Sequence, residues 1–165
     1  MPDWVTHIAA AWIICRVLRF KYKSFGPENT VLVMIGALVP DIVKFAMLFQ
    51  TMGWNIWNSI QPLHLPVGSF TVAGLVSLLF HNKKTAFLML SFGVVTHYLL
   101  DLTLENVNNG IYLFYPFNWG SWQLGLTTSA DYRVTAVVLA LALGVYLVGK
   151  WVDKKDKTQK LPKDS

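Results

Sequence analysis

The chain has 165 residues, about the length of one domain, with 54% hydrophobic and 14% charged residues, seven tryptophans and a mean hydropathy of +0.44. A soluble domain carries roughly 25% charged residues, so this composition excludes both a fully water-coated surface and intrinsic disorder, and points to a membrane-embedded protein. The net charge of +5, from 14 Lys and Arg against 9 Asp and Glu, marks a cytosolic face in so apolar a chain and argues against a nucleic-acid partner. The single cysteine, Cys15, has no partner for an internal disulfide.

Five segments approach the roughly 17 to 25 apolar residues that a spanning helix needs. The first runs from Trp4 to about Phe20 and contains His7. Its cations, Arg16, Arg19, Lys21 and Lys23, follow the apolar run, where a secretory leader would place them before it, so it reads as a retained anchor. The second, from about Thr30 to Phe49, is broken at Pro40-Asp41, which predicts a kink. The third spans about Leu65 to Phe80, with Pro66 in the first turn, where a missing N–H is tolerated. The fourth spans about Thr85 to Leu104 and the fifth about Val134 to Trp151. Residues 1–152 therefore form the membrane domain, and 153–165 a basic cytosolic tail. In the connecting segments Trp54, Trp57, Tyr112, Tyr115, Trp119 and Trp122 suit headgroup depth.

With the N-terminus outside, twelve of the 14 cations fall on the cytosolic side and only Lys44 and Arg133 lie toward the other. That segregation predicts an all-α bundle of about five spans, N-out and C-in. Ionisable residues inside spans are costly and mark functional sites. At 1.5 Å per residue, His7, Asp41, His64, His97 and Asp101 lie about 16 to 24 Å above the cytosolic helix ends, in one slab. His97 and Asp101, four residues apart, share a helix face. Zinc accepts nitrogen and oxygen donors and keeps a position open for water in catalytic sites, so several of these groups converging would make a hydrolytic centre.

Each residue also has a plainer role open to it. A histidine in an apolar helix is ordinarily an interhelical hydrogen-bonding residue, HxxxD is also a simple ion pair, and Asp41 after Pro40 would cap a restarted helix. Their coincidence at one depth favours a shared site. Glu105 continues the His97/Asp101 stripe at i+8 and is the candidate general base, although it and Asp131 also suit a solvated loop. Arg133, at the start of the last span, is either an interfacial anchor or a clamp for an anionic substrate.

The segments Thr6-His7, Gly36-Ala37-Leu38-Val39-Pro40-Asp41, His64, Thr96-His97-Tyr98-Leu99-Leu100-Asp101-Leu102-Thr103, Gly110 and Tyr115-Pro116-Phe117 together resemble the inner-membrane metal-dependent hydrolases of the DUF457 type. That family is distantly similar to the zinc-dependent phospholipase C and P1 nuclease group. The resemblance implies that His7, Asp41, His64, His97 and Asp101 are metal ligands and that the substrate is a phosphoester. The chain departs from the family pattern at Val43, Leu65 and Ser69, where the pattern often has Asp, Arg and, near the last, a second His. These departures leave one metal ion or a degenerate site as the alternatives.

The expectation is thus a multi-pass protein of the plasma or inner membrane, holding zinc or manganese in its extracytoplasmic half. It would hydrolyse a phosphoester or related ester of a lipid or lipid-linked substrate reached from the bilayer. The competing expectations are a non-catalytic membrane scaffold, in which the same residues hydrogen-bond between helices, and an ion or proton relay through Asp41, His97 and Asp101.

Overall fold

Apolar runs become helices here and the breakers set their ends. In the computed structural model, which describes residues 4–105, 110–128 and 131–159, α1 spans Trp4–Arg19, α2 Pro27–Leu38 and α3 Phe45–Thr51. Between α2 and α3 the backbone tightens to a 3-10 helix, Val39–Lys44, because Pro40 removes a donor from the α-helical ladder. The expected kink is therefore a six-residue tightening, not a gap. A short α4, Trp57–Ile60, and a second 3-10 turn, Gln61–His64, lead into α5, Pro66–Ser77. The 20-residue α6, Lys83–Leu102, begins where the Asn82 side chain accepts from the Thr85 N–H. The last helix, α7, runs Tyr132–Gln159, with the Asp131 carboxylate accepting from the Arg133 N–H at its start.

The all-helical membrane architecture expected from composition is present, with three stretches among the described residues long and apolar enough to cross a bilayer: Pro27–Thr51, Lys83–Leu102 and Tyr132–Val152. The other two expected spans are shorter, at 16 residues for α1 and 12 for α5, or about 24 and 18 Å. The boundary expected at 152 falls inside α7, and residues 160–165 of the tail lie outside the described residues.

Side-chain contacts orient the helices. Thr6 and Thr135 hydroxyls meet at 2.8 Å, while Gly149 of α7 lies against the Arg16 guanidinium, so α1 and α7 run parallel. α2 and α6 pack closely through two glycines: a Cβ on Gly36 would overlap the Leu90 carbonyl, and one on Gly93 the Val33 carbonyl. Small side chains fill the rest of the interior, with Ala11, Cys15, Val33 and Ala37 in one cluster and Val39, Ala73, Leu90, Val94, Tyr98 and Ile111 in another. Large apolar side chains such as Leu79, Leu99, Leu141 and Leu147 point outward, as a lipid solvent permits.

The segment after α6 was expected as a loop, and among its described residues it folds back over the end of that helix. Strands β1, Leu104–Glu105, and β2, Thr127–Thr128, pair in parallel, and Ile111 bridges Trp122. Leu124 and Leu126 N–H groups donate to the carbonyls of Leu102 and Thr103, which seals the end of the core and buries Leu104 and Ile111.

Candidate metal centre

The up-and-down course of the helices brings five distant residues together. His7 lies in the first turn of α1, Asp41 in the 3-10 segment after α2, His64 just before α5, and His97 and Asp101 one turn apart near the end of α6. These positions all fall at one end of the bundle. His7, Asp41, His97 and Asp101 are almost fully buried, while His64 keeps 17% of its side-chain surface open. Arg16, Arg19, Lys21, Lys23, Lys83 and Lys84 lie at or near the opposite ends of their helices, and Lys150 lies in the C-terminal half of α7.

His97 Nε2 is 3.2 Å from Asp101 Oδ2 and 4.0 Å from Asp41 Oδ1. His7 Nε2 is 3.4 Å from Asp101 Oδ1, and His64 Nε2 is 3.7 Å from Asp101 Oδ2. Donor atoms of a tetrahedral zinc ion, each about 2.1 Å from it, lie about 3.4 Å apart, so these separations suit a shared cation. His7, His97 and Asp101 form one possible ligand group and Asp41, His64 and His97 another, joined at His97.

The hydrogen bonds behind the histidines sharpen the case. His97 Nδ1 donates to the Ala37 carbonyl at 2.7 Å and His64 Nδ1 to the Pro40 carbonyl at 2.9 Å. A carbonyl only accepts, so each Nδ1 carries the proton, and in the neutral ring Nε2 turns its lone pair toward the carboxylates. This is the support usual for metal-ligating histidines. Lone pairs facing carboxylate oxygens in a buried pocket leave room for a cation that both could bind. His7 stacks on His97 with centroids 3.8 Å apart and planes 14° from parallel, which brings the two imidazoles into one group. His7 Nδ1 and Nε2, His97 Nε2 and Asp41 Oδ1 are buried without a hydrogen bond among the described residues. The donor set therefore fits a divalent metal of the zinc or manganese class.

Three residues in or around the centre were not foreseen in these roles. Lys44, expected only as a cation on the outer side, pairs with Asp41 Oδ2. Tyr98 OH donates to the His64 carbonyl at 2.8 Å. Ser69 Oγ, 2.8 Å from Tyr98 OH, donates to the Leu63 carbonyl at 2.7 Å. Ser69, a departure from the family pattern, thus helps to hold the His64 turn in place. Spacing offered a signal for Lys44, at i+3 from Asp41, and none for Tyr98 or Ser69.

The two remaining candidates are exposed. Helix α6 ends at Leu102, which breaks the i+8 stripe, so Glu105 is an exposed strand residue and not the next rung of the His97/Asp101 face. Arg133 is exposed at the head of α7, on the same end of the bundle as the centre.

A family model described as YdjM inner membrane protein matches residues 1–158. The chain belongs to this family. The match makes it an inner-membrane protein, in keeping with its candidate spans. No curated protein and no solved structure matches the chain.

Proposed function

We propose that this member of the YdjM inner membrane protein family is a metal-dependent hydrolase of a phosphoester or related ester in a lipid or lipid-linked substrate, working at the extracytoplasmic face. The observation that carries this reading is the set of imidazole lone pairs aimed at buried carboxylates with their far nitrogens tied to backbone carbonyls. A bound zinc or manganese ion would supply activated water and polarise the ester. His97 and Asp101 are its principal ligands, with Asp41, His64 and His7 completing the set. Lys44 neutralises part of the carboxylate charge and offers a cation to an anionic substrate oxygen. Arg133, exposed at the same end, would attract such a substrate at the surface, and Glu105, exposed on β1, is the less favoured candidate for a general base.

Two features support a lipid substrate and the outer face. An apolar groove of about 530 Å³, walled by Val67 and Phe70 on one side and Leu113, Phe114 and Phe117 on the other, begins at Pro66, two residues from His64. Apart from Lys44 and Arg133, the cations of the described helices gather away from the centre, which supports an outward-facing centre under the positive-inside rule. The test is hydrolysis of phospholipids and lipid-linked phosphates by purified protein in mixed micelles. Activity lost on chelation, restored by zinc or manganese and absent from His97→Ala is expected. Hydrolysis that is indifferent to chelation, or absent from metal-loaded wild type across those substrates, overturns the reading.

A further inference from the structure

At the end of the bundle remote from the His/Asp centre, α1 and α2 enclose a groove of about 400 Å³. Trp12, Pro27, Val31 and Met34 make its walls apolar. Thr30 also lines it, but the Thr30 hydroxyl donates back to the Gly26 carbonyl at 2.9 Å and so leaves the wall dry. Arg16 and Arg19, one turn apart on α1, provide the groove's charge. Arg19 is exposed and joins none of the described ion pairs. Arg16 is half-buried, and Gly149 of α7, lacking a side chain, lies against its guanidinium.

We propose that this groove binds one anionic glycerophospholipid, with an acyl chain along the Trp12–Met34 wall and the phosphate on Arg16 and Arg19. Apolar walls give a soluble anion nothing to contact, whereas a lipid satisfies both halves of the site. The guanidinium fork matches a phosphate in a way that a merely topogenic lysine does not. Depth agrees as well, since Lys21, Lys23, Lys83 and Lys84 gather at the same end, and basic pockets between spans on the cytoplasmic side suit anionic headgroups.

Native mass spectrometry of the full chain in detergent, with phosphatidylglycerol or phosphatidylcholine added, tests the site. One phosphatidylglycerol is expected to be retained, about tenfold more weakly by Arg19→Gln, not at all by Arg16→Gln/Arg19→Gln, and normally by Lys83→Gln/Lys84→Gln. Arg19→Gln alters an exposed side chain, so it keeps the test decisive should Arg16→Gln disturb the α1–α7 contact. Equal retention of phosphatidylcholine would overturn the proposal, as would an equal loss in the lysine variant, which would reveal general attraction to a basic surface. Displacement by millimolar glycerol phosphate would overturn it too, because the headgroup alone would then account for binding.

Discussion

Tyr98 follows His97 in the chain yet serves His64, whose carbonyl it holds at 2.8 Å. Removing a group that orients a ligand typically lowers metal affinity about 10- to 100-fold. Tyr98→Phe is therefore expected to weaken zinc binding by at least about tenfold in calorimetric titration, while leaving all five donors in place. Lys44 predicts the opposite sign. Its ammonium competes with a metal for Asp41, so Lys44→Met should tighten divalent-cation binding several-fold, and weaker binding would show that Lys44 helps to build the site. The five donors were legible in the sequence because a charge or imidazole in an apolar run stands out against its neighbours. Tyr98 and Ser69 were not, since a hydroxyl among apolar residues is common and the contacts that tie these two to the centre, Tyr98 to His64 and Ser69 to Tyr98, span 34 and 29 positions. Glu105 looked like a rung of the same stripe because periodicity alone does not reveal that α6 ends at Leu102.

Close packing of α2 against α6 makes the residue geometry possible. The Ala37 carbonyl reaches His97 Nδ1 because Gly36 and Gly93 let the backbones touch. Gly93→Val would place a branched side chain against the Val33 carbonyl and the Ala37 nitrogen. It is expected to cost about 3 kcal/mol, read as a lower thermal midpoint in detergent, together with loss of bound metal. The hydroxyl pair Thr6 and Thr135 is a smaller matter: Thr135→Val should cost about 0.6 kcal/mol in the same assay and leave metal content unchanged. Helix existence was readable from apolar length, and the break at Pro40 from the ring chemistry of proline. The pairing of β1 with β2 was not readable, because two-residue strands joined across a long connection carry no periodic signal.

Over the whole molecule the two ends differ in kind. One holds the buried imidazoles and carboxylates, the other Arg16, Arg19, Lys21, Lys23, Lys83 and Lys84 and the arginine groove. In the proposed topology the first end lies outside, as the positive-inside rule predicts from the charge segregation. With Cys15 replaced by Ala, an impermeant thiol reagent should label Phe117→Cys in intact cells and Ser24→Cys only after lysis; the reverse pattern would invert the proposed topology. The central claim, that the converging donors hold a metal, is tested most directly by elemental analysis of protein purified without added metal or chelator. Stoichiometric zinc or manganese in the wild type, lost in a folded His97→Ala/Asp101→Ala variant, is the predicted result. Equal and substoichiometric metal in both, with the variant merely less stable, would contradict it and leave the five residues as interhelical bonds of a scaffold.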